Sequence, residues 1–313
     1  MDAVVGLLDG VRARGAFVLR MMLDPPWSMR IQDEAPLTLI CQTRGRAAIN
    51  GDASGTVWLD AGDVAVTRGT EHYLFADDPS TTPMVVVHPG QRCTTLSGDD
   101  LRFEMSLGVR TWGNSVDGAC RSVICAYEGH SEVSARLLDA LPTVLVLRRT
   151  DWDTALVDLL ADEAGRDGPG QEAYLDRLLD LLLIAVLRTW FAREENAPPW
   201  WHAEQDPVVG QALRLIYNHP AHPWTVANLA AAVDSSRATF ARRFTEMVGE
   251  PPIAFLTGWR LALASDLLRS STLTIAAVAK QVGYGTPFAL SSAFKRAYGV
   301  SPNEHRATTV QTA

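Results

Sequence analysis

The stretch SRATFARRF, Ser236 to Phe244, sets Arg237, Arg242 and Arg243 on a helical repeat whose apolar side is Phe240 and Phe244. Fifty residues later Leu290 and Phe294 repeat that apolar pair, with Lys295 and Arg296 directly after them. A guanidinium fork is the side chain best matched to guanine O6 and N7, and any Arg or Lys neutralises phosphate. With the two phenylalanines turned inward, Arg237, Ala238, Ala241 and Arg242 face outward, and Thr239 and Arg243 are placed to serve phosphate. In the later copy Thr286, Ser291, Ser292 and Lys295 can meet backbone or bases, and Phe288 can meet a thymine methyl. The competing reading of any single arginine, a solvated charge or a phosphate clamp, weighs about as much.

Such residues act only if short helices cross steeply, and the sequence builds that twice. Thr225 to Val233 (TVANLAAAV) puts Val226, Leu229, Ala230 and Val233 on one face. Thr274 to Val282 (TIAAVAKQV) puts Ile275, Val278, Ala279 and Val282 at the same offsets. Each Thr stands where an N-cap belongs. Breaks follow at Asp234-Ser235 and Gly283-Tyr284-Gly285, then Ser236 and Thr286 are set to cap second helices. Gly249 matches Gly299, and Pro252 matches Pro302. Two units of helix, tight turn and helix, joined by an apolar helix over Ile253 to Leu268, predict two recognition helices about 34 Å apart on one face of a duplex.

Charge agrees with this division. The 313-residue chain has a formal net charge of −8, yet from Pro207 onward ten Lys/Arg stand against five Asp/Glu, about +5, leaving about −13 for the rest. A basic module on an acidic body points to a polyanionic partner for that module alone.

The C-terminal hundred or so residues resemble the DNA-binding domain of AraC/XylS-family transcription regulators, on the motif IAAVAKQVGYGTPFALSSAFKRAYGVSPNEHR, Ile275 to Arg306. The resemblance implies that the outward positions of both recognition helices enter the major groove of double-stranded promoter DNA, and that the regulator contacts RNA polymerase. Departures are Asp234 where the first turn usually has Gly, His305 where a Tyr is usual, and Ser292 where many relatives are basic.

Residues 16 to about 130 read as β structure. Short apolar runs (LTLIC, RAAI, TVWL, DVAVT, MVVV, SVICAY) alternate with turn signals such as NGDASG and HPGQ, the pattern of a sandwich or small barrel. LDAGDVAVTRGTEH, Leu59 to His72, resembles the second cupin motif, and RTWGN and LLDALPTVLVL resemble a cupin-containing branch of the AraC family. Metal-binding cupins carry a His-x-His and a Glu on the first motif; LTLICQTRGRAAIN, Leu37 to Asn50, has neither, so no metal or other cofactor is expected. A small organic effector in a barrel lined by apolar and aromatic groups such as Trp27, Trp58 and Tyr73 is the reading preferred. The alternative is convergence of Cys41, His72, His88 and Cys93 on a soft metal or an oxidant.

From Ser131 to about 196 helical spacing takes over: Val133, Leu137, Leu138 and Leu141, then Trp152 to Ala164, a break at Asp167-Gly-Pro-Gly170, and a long leucine-rich helix over Glu172 to Arg193. A helix apolar on several sides is buried, either in its own core or in a homodimer, where the family commonly uses it. Asn196-Ala-Pro-Pro-Trp-Trp and Gln205-Asp206-Pro207 read as linker.

The expected fold is therefore α+β in two domains: a cupin-like β-barrel over 1–130, a helical dimerisation region over 131–196, and an all-α double helix-turn-helix domain over 207–313. No apolar run reaches the roughly 18 residues of a membrane span, and the N-terminal MDAVVGLLDG lacks a signal-peptide pattern. The four cysteines have no CxxC spacing and read as reduced thiols. The expectation is a cytoplasmic regulator with no catalytic residues. Its rivals are a metal-dependent cupin enzyme with an appended helical domain and an effector-independent DNA binder.

Overall fold

The computed structural model describes residues 16–52, 54–69, 71–127, 138–193 and 195–310. They form two compact units, one holding the described residues up to Ala192 and the other those from Arg193. The expected helix start at Val133 and Leu137 lies outside the described residues.

Among the described residues of the first unit, thirteen strands form two sheets. One contains β1 (Phe17–Leu23), β3 (Leu37–Arg44), β6 (Val64–Arg68), β10 (Ser106–Gly108), β11 (Thr111–Gly113), β12 (Cys120–Tyr127) and β13 (Val144–Leu147), in the order β10-β11-β1-β12-β3-β6-β13. The other contains β2 (Ser28–Ile31), β4 (Arg46–Gly51), β5 (Gly55–Asp60), β7 (Tyr73–Ala76), β8 (Val85–His88) and β9 (Arg92–Thr94), in the order β5-β4-β7-β2-β8-β9. Both sheets feed one core: Met21, Ile40 and Ala65 come from the first, Met29, Ile49 and Phe75 from the second.

Strand alternation decides what faces that core. Phe17, Leu19 and Met21 of β1 point to the interior, as does Ile40 of β3. The opposite face of the larger sheet is covered by α1 (Ala155–Ala164) and α2 (Gln171–Phe191). There Tyr127 Oη donates to the Leu179 carbonyl at 3.3 Å. The leucine-rich α2 buries Leu175, Leu178, Leu179, Leu182, Leu183, Val186, Leu187 and Phe191, and leaves Tyr174 and Leu181 exposed.

Two parts of the chain differ from expectation. Val144–Leu147, within the span expected to be helical, is a strand paired antiparallel with β6, so LPTVLVL completes the larger sheet. Its alternating burial and β-branched content explain why Pro142 ends the helical pattern there. The expected linker carries α3 (Pro199–Gln205), whose Ala203 is fully buried in the helical core with Trp200 packed beside it.

The second unit continues with α4 (Val209–Asn218), α5 (Val226–Ala232), α6 (Arg237–Val248), α7 (Pro252–Ser270), α8 (Ile275–Val282), α9 (Pro287–Tyr298) and α10 (Pro302–Val310). Its described residues form two apolar cores. One collects Leu229, Phe240 and Phe244 with Phe255 and Trp259 of α7. The other collects Val278, Leu290 and Phe294 with Leu261 and Leu268 of the same α7. One helix thus carries a face of each core.

Candidate nucleic-acid interface and effector cavity

Each helix-turn-helix unit is fixed by its own local chemistry. Thr225 and Thr274 hydroxyls accept from the amides of Asn228 and Ala277, both at 3.2 Å. Ser236 and Thr286 accept from Thr239 and Ala289 at 3.2 and 3.1 Å. All four caps stand where the sequence put them, and each satisfies an amide the helix leaves open. The turns repeat as well: Ser235 N donates to Ala230 O at 2.9 Å and Tyr284 N to Ala279 O at 2.8 Å. Asp234 adopts φ +52°, the left-handed conformation Gly283 adopts at +89°. A short polar residue tolerates that region better than most.

These caps start α6 and α9 with their polar faces outward. Arg237, Ala238, Thr239 and Arg242 are exposed on α6, and Ala241 is half-buried. Arg242 pairs with Glu246 at 2.8 Å across one turn, with both side chains more than half exposed. On α9, Phe288 is 81% exposed, Ser292 and Lys295 are exposed and Ser291 is half-buried. Thr286 is exposed but its hydroxyl is engaged as the cap.

Arg243 is engaged inside the helical unit. Its guanidinium binds Asp206 through Nε at 3.1 Å and through Nη2. Asp206 also accepts from the Val208 and Val209 amides at 2.9 Å, opening α4. Burial raises the Asp206 carboxyl, but the Val209 amide, Arg243 and the Val208 amide outweigh it and leave it below the usual carboxylate range. Arg243 therefore ties α6 to Asp206 at the start of α4, thirty-seven residues back. His305, the departure from the usual tyrosine, accepts from Arg269 at 3.2 Å and bonds the Ser265 hydroxyl at 2.7 Å. Burial, then the Arg269 charge, hold it below its ordinary value, so it stays neutral near pH 7.

In the first unit a narrow cavity of about 50 Å³ opens between the two sheets. Its wall is apolar and aromatic, with Phe17, Phe75, Tyr73 and Trp112 among the lining side chains, and Asp33, Thr38, Gln91 and Cys93 as its polar groups. Burial, then the Asp100 charge, push the Cys93 thiol up to about 11, so it is protonated near neutrality and a poor nucleophile.

A cupin family model matches residues 2–192 and a helix-turn-helix domain model matches residues 229–308. A putative AraC-like transcription regulator of Streptomyces lividans is 43% identical over 318 aligned residues, covering 98% of either chain. The chain belongs to the AraC-type transcription regulators. Within that family it is a DNA-binding regulator with an N-terminal cupin domain. The HTH-type transcriptional regulator AlkR of Acinetobacter baylyi is 35% identical, over 98% of this chain and 99% of its own. A putative AraC-like transcription regulator of Streptomyces antibioticus is 38% identical over 178 residues, of which this chain covers 58% of the relative's length.

Of the effector residues expected in this AraC-type regulator, Tyr73 and Cys93 line the cavity. Trp27 is buried beside it, edge-on to Phe75 with ring centroids 5.3 Å apart. The other four lie elsewhere. Cys41 is one residue from Ile40 and so turns to the opposite sheet face, where its neighbours are Cys125 and Tyr127. Trp58 faces outward under the Arg46 guanidinium, 4.1 Å from its ring. His72 is exposed, and His88 bonds the Thr94 hydroxyl at 2.9 Å. The convergence of Cys41, His72, His88 and Cys93 on a metal or oxidant is thereby overturned. Among the described residues no group of three or more His, Cys, Asp or Glu is placed to hold a metal ion.

Sequence reading missed Asp33, Gln91 and Trp112. Trp112 sits in the RTWGN motif, and strand alternation in Phe17, Leu19 and Met21 was the available signal for the inward face of β1. Among the described residues no helix is long and apolar enough to cross a membrane.

Proposed function

We propose that this regulator binds specific promoter sequences through α6 and α9, under control of a small effector in the cupin cavity. The observation that carries it is the duplication: two capped recognition helices packed on the two sides of one helix, α7, with Arg237 and Arg242 exposed on one and Phe288, Ser292 and Lys295 on the other. That arrangement supplies base-reading and phosphate-neutralising groups from two helices held as a single body.

We assign Arg237, Ala238, Ala241 and Arg242 to base edges, Thr239 to phosphate, and Thr286, Ser291, Ser292 and Lys295 to backbone or bases, with Phe288 on a thymine methyl. Tyr73 and Cys93 belong to the effector cavity, with Trp27 supporting its wall. The regulator acts in the cytoplasm as a homodimer through the exposed side of α2, contacts RNA polymerase, and has no catalytic activity of its own. An effector acts by binding one arrangement of the protein better than another, so that DNA affinity and effector affinity are linked reciprocally.

Sequencing the genomic fragments recovered with the purified protein tests the reading. A shared motif with two half-elements about one helical turn apart supports it; fragments without common sequence overturn it.

A further inference from the structure

The cavity between the sheets has a polar end with one charged group. Asp33 lies two residues beyond the end of β2, where Ile31 pairs with Tyr73 on one side and Val87 on the other. Its Oδ2 accepts from Gln91 Nε2 at 3.0 Å and its Oδ1 from the Ala35 amide at 3.3 Å. A carboxylate has about four acceptor positions, so these two bonds leave room for a further donor. Asp33 is close enough to act on Tyr73: burial raises the phenol most, and the Asp33 charge adds to it against the Thr67 hydroxyl bond. Among the described residues lining the cavity there is no Lys, Arg or His. The backbone beside the carboxylate is held in the left-handed region at Glu34, φ +56°, and at Gln91, φ +58°. Non-glycine residues stay there only where their surroundings fix them.

We propose that the cavity takes a small hydrophobic amine, with the protonated nitrogen at Asp33 and the short apolar skeleton among the aromatic side chains. The proposal rests on the cavity being the effector site and names the chemistry it selects. A carboxylic acid of the same skeleton would bring a second negative charge to Asp33 with no cation on the wall to offset it. A neutral hydrocarbon would strip water from Asp33 and return no partner. An ammonium group gives the carboxylate a charge-assisted hydrogen bond and meets the faces of Phe17, Tyr73, Phe75 or Trp112, where a cation is attracted to the ring.

The test is titration calorimetry of the full-length protein at pH 7 with three small ligands of one skeleton, matched to a cavity of about 50 Å³: propylamine, 1-propanol and propionate. The amine is expected to bind about tenfold more tightly than the alcohol, and the acid more weakly than both. Asp33→Asn is expected to bring the amine to within about twofold of the alcohol, with the alcohol weakened far less than the amine. The wild-type ranking stands as a test even if that variant fails to fold. Binding of the alcohol or acid as tight as the amine, or an amine preference retained in a folded Asp33→Asn, overturns the amine assignment while the effector cavity stands. Failure of all three to bind overturns both.

Discussion

Two adjacent arginines on α6 have different work. Among the described residues Arg242 is held by Glu246, in an exposed one-turn pair worth about 0.3–0.5 kcal/mol. DNA can break that pair at little cost, and a bidentate base contact returns more. Arg243 is held by Asp206, whose side chain is only 8% exposed and also closes the start of α4. Removing Arg243 leaves a nearly buried carboxylate short of its cation, at a cost of about 1–3 kcal/mol. Arg242→Ala is therefore expected to keep its unfolding midpoint and lose about 1–3 kcal/mol at the cognate site, with less loss on unrelated duplex. Arg243→Ala is expected to lower the midpoint and, at temperatures where it remains folded, to bind DNA nearly as the parent does. Urea unfolding and fluorescence anisotropy on the two variants check both. Equal losses on all sequences for Arg242→Ala would make that residue a phosphate contact.

The helical elements were legible in sequence where their determinants are local. Four caps, two turns and the spacing of Phe240 with Phe244 all act within a few residues, and a repeat at a fixed offset shows itself without a partner. What was not legible depends on distant pairing. Ile40 enters the cavity and Cys41 leaves it because β3 meets β12 and β6 in one register, which the run LTLIC does not specify. Arg243 looked like a DNA contact because its partner Asp206 is far away in the chain. The turn of the second unit carries a further consequence. A Cβ on Gly283 would lie 2.7 Å from Ala221 Cα and 2.9 Å from Pro220 O, in addition to its positive φ. Gly283→Ala is expected to destabilise the helical unit by about 2–4 kcal/mol, from left-handed strain and overpacking together. Asp234 already sits in that conformation at the matching turn, so Asp234→Gly is expected to change stability by less than about 1 kcal/mol. Urea unfolding of both variants, followed by tryptophan fluorescence, reads the contrast; a mild Gly283→Ala would show that the turn relaxes around the methyl.

At the scale of the molecule, packing divides the chain at Arg193 and charge divides it shortly after, at Pro207. Among the described residues, the apolar clusters of the helical unit are built from residues 200 to 298. That unit also contains the positive segment, about +5 from Pro207 onward, on a chain whose total is −8. Two consequences follow for a fragment spanning 193–313. Its cores are complete, so it is expected to unfold cooperatively in urea without the barrel. Freed from residues 1–192, about −10, the fragment at about +2 is expected to bind random duplex DNA more tightly than the full chain at low salt, because long-range repulsion from the acidic part is gone. The advantage must shrink as salt screens it, over roughly 50 to 200 mM. Anisotropy titrations at several salt concentrations decide the matter. A fragment that binds no better than the parent at the lowest salt would mean that the acidic body does not oppose the duplex, and that DNA affinity is set within the helix-turn-helix pair alone.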